Sequence, residues 1–166
     1  MLPHCGHILL LIFCIYNLAF SNSLGLTNTD LIILKKIKSL TDDKMMKYTL
    51  MAIAIKESSV GKKQVNDFSN DYGLFQSNIK SVLRRQYVED NDYNRRYFAY
   101  KLLNDVAFST ANAIVEIDYW REIHKENWVK VWASYNAGWR YNSNVGVLYA
   151  NSIFDIIKKL RFEYNL

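Results

Sequence analysis

The chain has 166 residues, half of them hydrophobic, with 21 basic and 16 acidic side chains and a formal net charge of +5. That length points to one ordinary domain with a sizeable core. Proline occurs once, at Pro3, so the composition predicts a predominantly helical domain, all-α apart from at most a short strand or hairpin. The basic residues form no long block, and a modest positive charge suits an anionic polymer as partner.

The chain opens with an apolar run over residues 8–16, followed by Ala19-Phe20-Ser21, a small-x-small cleavage pattern. Residues 1–21 therefore read as a secretory signal peptide. The run is shorter than the roughly 20 apolar residues of a membrane span, so no stable membrane insertion is expected after cleavage. An uncleaved anchor is the alternative reading. Cleavage would remove Cys5 and Cys14, the two cysteines of the chain, and leave a single exported domain over residues 22–166 with no disulfide. Export also argues against nucleic acid as partner.

Asn28 or Thr29 is placed to cap a first helix, with Asp30 at its positive end. Ile33, Ile37 and Leu40 recur at helical spacing with Leu34 beside them, while Lys35, Lys36 and Lys38 bear the solvated side. Thr41-Asp42-Asp43 starts the next helix. From residue 48 to 55 nearly every side chain is apolar, and a helix apolar all round is buried. Leu50, Ile53 and Ala54 share a face with Glu57, which places a carboxyl group at the C-terminal end of a buried helix. Desolvation and the negative end of the helix dipole both disfavour its charged form and predict a raised pKa.

Residues 60–72 read as a loop rich in turn formers, with Gly61 as helix terminator. Residues 72–76 read as a short strand or bend in which Gly73 allows a close approach. Residues 77–87 look helical, with Val82 and Leu83 inward and Arg84-Arg85 outward. Residues 89–96 read as a charged surface connection. Asp90, Asp92 and Asn94 alternate as calcium ligands do, but lack the central glycine and terminal glutamate of an EF-hand. Residues 97–104 and 107–124 read as helices, the second with an inward face of Ala107, Ala111, Ile114 and Val115 and with Glu116 among its solvated charges. His124 stands without ligand partners, and no metal site or cofactor is expected. Asn127 caps a further helix whose stripe of Trp128, Val131, Trp132, Tyr135 and Asn136 begins apolar and ends polar, and Gly138 stops it. An aromatic, amide-rich loop follows. The last helix carries Tyr149, Ser152, Ile153, Ile156, Ile157 and Leu160 on one side.

The chemistry concentrates in two segments. A carboxylic acid kept protonated near neutral pH is what a general acid needs to protonate a glycosidic oxygen. A second carboxylate, Asp71, closes the loop that follows Glu57. The pair Glu57-Ser58, then Asp71-Tyr72-Gly73-Leu74-Phe75-Gln76, then Ala133-Ser134-Tyr135-Asn136-Ala137-Gly138 together resemble the soluble lytic transglycosylases of bacterial cell walls. The likeness is greatest to the small members that serve secretion systems, conjugation or pili, and it covers roughly residues 30–160. The Asp71–Gln76 segment is also similar to the matching piece of animal c-type lysozymes.

The resemblance implies a lysozyme-like fold and an enzyme acting on peptidoglycan glycan strands in the periplasm or cell envelope, with components of a secretion or pilus apparatus as further partners. It implies that Glu57 protonates the bond between N-acetylmuramic acid and N-acetylglucosamine, then deprotonates the muramyl 6-hydroxyl to close a 1,6-anhydro ring. It assigns support of the acid by hydrogen bonding to Ser58, a cleft wall to Gln76, and orientation of Glu57 and sugar contact to Tyr135 and Asn136. Asp71 matches the second carboxylate of c-type lysozymes; it is read either as a catalytic or electrostatic group or as a turn-forming residue. Two rivals stay open: a hydrolytic muramidase using Glu57 and Asp71, and a non-catalytic wall-docking protein. Ser77 stands where the family has isoleucine, and Ser134 where it has a small apolar residue. Trp139 and Tyr141, in the aromatic loop, are candidates to stack on sugar faces.

Overall fold

The computed structural model describes residues 23–166; the leader expected over residues 1–21, with Cys5 and Cys14, lies outside the described residues. Helix α1 spans Asn28–Lys38 and is capped one residue earlier than expected. Thr27 accepts from the Asp30 backbone N–H while the Asp30 carboxylate accepts from the Thr27 N–H, a reciprocal capping box. Asp30 is buried and also accepts from Lys62 Nζ at 2.8 Å, which ties the start of α1 to the loop after the next helix. The Lys62 bond, then the Thr27 backbone bond, hold its carboxyl below the usual range.

Helix α2 (Lys44–Ser58) is capped by Asp43 and buried from Thr49 through Ala54. It packs against α1, the later helix α5 (Val106–His124) and the last helix α7 (Asn144–Phe162). Surrounded in this way, the stretch from Thr49 to Ala54 has no solvated face, which is why the apolar run carries no amphipathic period. Leu50, Met51 and Ile53 are fully excluded from water, each worth about 1.5–3 kcal/mol of transfer free energy. The helix ends at Ser59 and Val60, both with positive φ, before Gly61 is reached.

The segment after α2 is more ordered than a loop. Three two-residue strands, β1 (Val65–Asn66), β2 (Asp71–Tyr72) and β3 (Ser77–Asn78), form an antiparallel sheet in that order. Val65 pairs with Tyr72, and Tyr72 with Ser77. Strands this short carry no readable alternation, so the sequence shows only their turns. Gly73 has φ +82°, and a Cβ there would lie 2.4 Å from the Leu102 carbonyl oxygen. The close approach expected at Gly73 is therefore to backbone.

Helix α3 (Ile79–Arg85) is capped by Asn78, and α4 (Asp92–Asn104) by Asn91. The charged stretch read as a connection thus belongs in part to α4, because Asn91 supplies a cap that charge density does not reveal. In α5 the buried face is Ser109, Thr110, Asn112, Ala113, Ile117 and Trp120, whereas Ala107, Ala111 and Val115 are exposed. Of the expected inward face only Ile114 packs against the main core; the face is shifted because Thr110 and Asn112 bond back to carbonyls of their own helix and tolerate burial, Thr110 to Val106 O and Asn112 to Phe108 O. Helix α6 (Trp128–Ala137) ends at Gly138, and a 3-10 turn, Gly138–Arg140, leads into α7.

The fold is predominantly helical and lysozyme-like, with seven α-helices and one small sheet among the described residues. Two cores organise it. The larger lies among α1, α2, α5, α6 and α7. The smaller, Ile79, Val82, Leu83, Phe98 and Leu102, sits under α3, α4 and the sheet. Helix α5 touches elements of both, so it sets how the sheet faces the helical body.

Candidate active site

A cleft of about 200 Å³ opens where the sheet and α3 face α5 and α6. Asp71, Gln76, Ser77 and Asn78 line it from the sheet, Ser81 and Arg85 from α3, Glu116 from α5 and Tyr135 from α6. The structure thus brings together three of the residues singled out from sequence: Asp71, Gln76 and Tyr135. Each arrives by a different route. Asp71 leads β2, Gln76 follows the Gly73 turn, and Tyr135 stands in the last turn of α6.

Glu57 sits in the last turn of α2, half-buried, beside this cleft rather than among its lining residues. Burial raises its pKa; a hydrogen bond from Tyr149 and the charge of Lys56 pull the other way, and the charge of Asp71 adds to the rise. Tyr149 Oη donates to Glu57 Oε1 at 2.5 Å, and Oε2 has no hydrogen-bond partner among the described residues. Tyr149 is itself buried, and burial, followed by the Glu57 charge, pushes its own pKa well above the phenol range. It therefore remains a neutral donor wherever Glu57 titrates. The geometry is that of a carboxyl group with one oxygen held and the other available for a proton.

Tyr149 is the residue the sequence reading missed as a site residue. It appeared only as part of the inward face of the last helix, and a helical stripe does not distinguish a packed ring from a ring whose hydroxyl meets a carboxylate. The hydrogen bond that orients Glu57, expected from Tyr135 and Asn136, comes from Tyr149 instead. Tyr135 Oη donates to the Phe75 carbonyl at 3.0 Å and not to Glu57. Burial, then the charge of Glu57, raise the Tyr135 pKa beyond the phenol range. Asn136, one position on, is exposed and is not among the residues lining the cleft.

Ser58 also differs from expectation. It is fully buried and makes no bond to Glu57. Its hydroxyl lies 2.8 Å from the Leu74 carbonyl and 3.1 Å from that of Ala54, and accepts from the Gly61 N–H at 2.9 Å. Ser58 therefore pins the Leu74-Phe75-Gln76 turn to the end of α2 and has no surface to offer a sugar. Gln76 itself holds φ +48°, and its Nε2 donates to the Gly73 carbonyl at 3.1 Å. A non-glycine residue in that region stores strain of about 1–3 kcal/mol, a cost commonly met at functional sites. Asp71 Oδ1 accepts from Asn78 Nδ2 at 2.9 Å across the β2–β3 pair, which fixes its carboxylate at the cleft wall.

Arg85 and Glu116, both read as outward from sequence, meet at the wall of the cleft. Arg85 Nη2 donates to Glu116 Oε2, and Trp120 Nε1 donates to Glu116 Oε1 at 2.8 Å. Both carboxylate oxygens of Glu116 are thus taken by donors from its surroundings. Of the aromatic loop, Trp139 is exposed and meets Trp120 edge to face, while Tyr141 packs against His124 and the main core.

Residues 36–146 match the family model described as the transglycosylase SLT domain. The chain is 32% identical over 110 residues to an uncharacterized 20.7 kDa protein of the vs-regB intergenic region of Enterobacteria phage T4. That match covers 65% of this chain and 59% of the phage protein, so the chain spans under two thirds of the relative's length. No solved structure matches the chain significantly.

Proposed function

This chain belongs to the transglycosylase SLT domain family, and from that membership we propose that it is a peptidoglycan lytic transglycosylase with Glu57 as its single acid and base. The observation that carries the reading is the state of Glu57: a carboxyl group at the end of a buried helix, its pKa raised by burial, one oxygen held by Tyr149 and the other unpartnered. A protonated Glu57 donates its proton to the glycosidic oxygen between N-acetylmuramic acid and N-acetylglucosamine. The bond from the muramyl anomeric carbon to that oxygen breaks, and the oxygen leaves as a hydroxyl. The Glu57 carboxylate then takes the proton of the muramyl 6-hydroxyl as its oxygen bonds to the anomeric carbon. The proton count at Glu57 is restored and no water is consumed.

A second reading is favoured by one observation, the presence of Asp71 at the cleft wall with its charge felt at Glu57. In that reading the pair works as in retaining glycosidases and water completes the reaction. The leader-like residues 1–21 support action after export, in the periplasm or cell envelope, and the likeness to small secretion-associated members supports local wall opening for a secretion, conjugation or pilus apparatus.

Mass spectrometry of muropeptides released from purified peptidoglycan by residues 22–166 tests the proposal. Anhydro products, lighter by one water than hydrolysed ones, are expected. Reducing-end products would replace the lytic reading with the hydrolytic one. Release of neither by a folded protein that binds the wall would leave wall docking as its function.

A further inference from the structure

Among the described residues, Asp30 is the one aspartate, glutamate, lysine or arginine fully out of water, at 2% exposure. Burying a charge is costly unless it is paired and hydrogen-bonded. Helix capping does not explain the burial, since the side chains that cap α2 to α7 are all half-buried or exposed. The partner that does explain it is Lys62. Its Nζ donates to Asp30 Oδ2 at 2.8 Å from a loop 32 positions away, and the Thr27 N–H donates to the same oxygen at 2.8 Å. The Lys62 side chain is 54% exposed, so the carboxylate is the fixed end of the pair and the loop is what it holds.

Lys62 stands in residues 59–64, between α2 and β1. Ser59, Val60 and Gly61 have φ of +53°, +58° and +88° in succession. Two non-glycine residues on a left-handed backbone persist only where their surroundings fix them. This segment seats the cleft wall. The Gln64 carbonyl accepts from the Gly73 N–H at 2.8 Å, and the Lys63 carbonyl accepts from Gln76 Nε2 at 3.4 Å. Gln76 Nε2 also donates to the Gly73 carbonyl at 3.1 Å. A carbonyl can only accept, so the Gln76 amide must turn its N–H groups toward these two. What it has left for the cleft that it lines is the acceptor Oε1.

We infer that Asp30 and Lys62 are a positioning pair for ligand binding: the buried carboxylate holds Lys62, and Lys62 holds the segment on which the Gly73 turn and the Gln76 amide rest. The inference deepens the cleavage reading above and takes its ligand, the glycan strand, from it. Neither residue lines the cleft, so the pair reaches the ligand only through the wall it seats. With the link broken, the Lys63 carbonyl is free to turn away. The Gln76 amide then flips and puts N–H donors where a sugar hydroxyl or acetamido N–H needs an acceptor. Glu57 stays on α2, held by Tyr149, so the loss falls on binding rather than on the chemical step.

The test uses residues 22–166 carrying Glu57→Gln, so that ligand is not consumed, titrated calorimetrically with a stem-free glycan tetrasaccharide. Asp30→Asn combined with Lys62→Met removes both charges, strands neither in the interior and is expected to fold. This double variant is expected to bind about tenfold more weakly, the size of one lost polar contact. Lys62→Arg, which keeps a charged donor for Asp30, is expected to bind within about twofold of the parent. In a Gln76→Ala background the double variant is expected to lose no further affinity, because its route to the ligand is gone. Parent affinity in the double variant, with only the thermal midpoint lowered, overturns the proposal and leaves an ion pair that serves the fold. A further tenfold loss in the Gln76→Ala background overturns it as well. The expected pattern with no cleavage by the unmutated protein retains the positioning pair and removes the catalytic reading. No tetrasaccharide binding by the parent removes both.

Discussion

At the scale of single residues, the function proposed here rests on a proton held by Glu57. Burial raises its pKa and the Tyr149 hydroxyl lowers it, and burial wins. Glu57→Gln keeps the shape and removes the transferable proton, so glycan cleavage is expected to fall by about 10²–10⁴-fold, the usual worth of a general acid. The same substitution bears on stability. With the folded pKa above the unfolded one, the folded state binds the extra proton between them, and stability falls as pH rises through that window. Glu57→Gln should therefore match the parent below the unfolded carboxyl range and exceed it in stability at neutral pH, as urea titrations at the two pH values would show.

Tyr149→Phe separates holding from packing. It removes a hydrogen bond that favours the ionised form, so the Glu57 pKa rises and the alkaline limb of the pH–rate profile moves upward. A loss of orientation should lower kcat by up to about a hundredfold. A ring that only packs would change the rate and leave the limb in place.

At the scale of elements, the site depends on a short sheet held against the end of α2. The Gly73 turn lies against the Leu102 backbone, and the Ser58 hydroxyl binds the Leu74 carbonyl one residue later. These two contacts carry Asp71 and Gln76 to the cleft. Gly73→Ala puts a side chain on a left-handed backbone with a carbonyl oxygen 2.4 Å away. Backbone strain alone is worth about 1–3 kcal/mol, and the clash adds to it. A lowered thermal midpoint is expected, together with reduced cleavage even where the protein remains folded, because β2 must move. The turn residues of this segment are visible in the chain, and so is its close approach at Gly73. The strands are not, because two residues show no period, and the pairing partners come from the turns between them.

At the scale of the whole molecule, the larger core must clamp α2 so that its last turn stays in register with α7. One buried contact reports on that clamp. Trp132 Nε1 on α6 donates to Thr49 Oγ1 on α2 at 3.0 Å, with both side chains out of water. Thr49→Val removes the acceptor and strands the indole N–H, at a cost of about 1–3 kcal/mol. The midpoint of urea unfolding should fall with the slope unchanged, since the surface exposed on unfolding is nearly the same.

What the sequence by itself determined is local or periodic. The apolar run from residue 48 to 55 marks α2 as buried, and burial marks the carboxyl that follows it as a shifted acid; both are properties of neighbours along one helix. The same holds for the helix start at Thr41-Asp42-Asp43, the cap at Asn127, the stop at Gly138 and the motifs that carry the family. Tertiary structure alone decided which polar groups meet. Tyr149 reaches Glu57 across 92 positions, and Arg85 reaches Glu116 across 31. In the chain Tyr149, Arg85 and Glu116 stand as ordinary helical residues, and the two charged ones read as solvated. The physical reason is that a hydrogen bond between helices depends on where the two axes cross, and no period within either helix encodes that crossing.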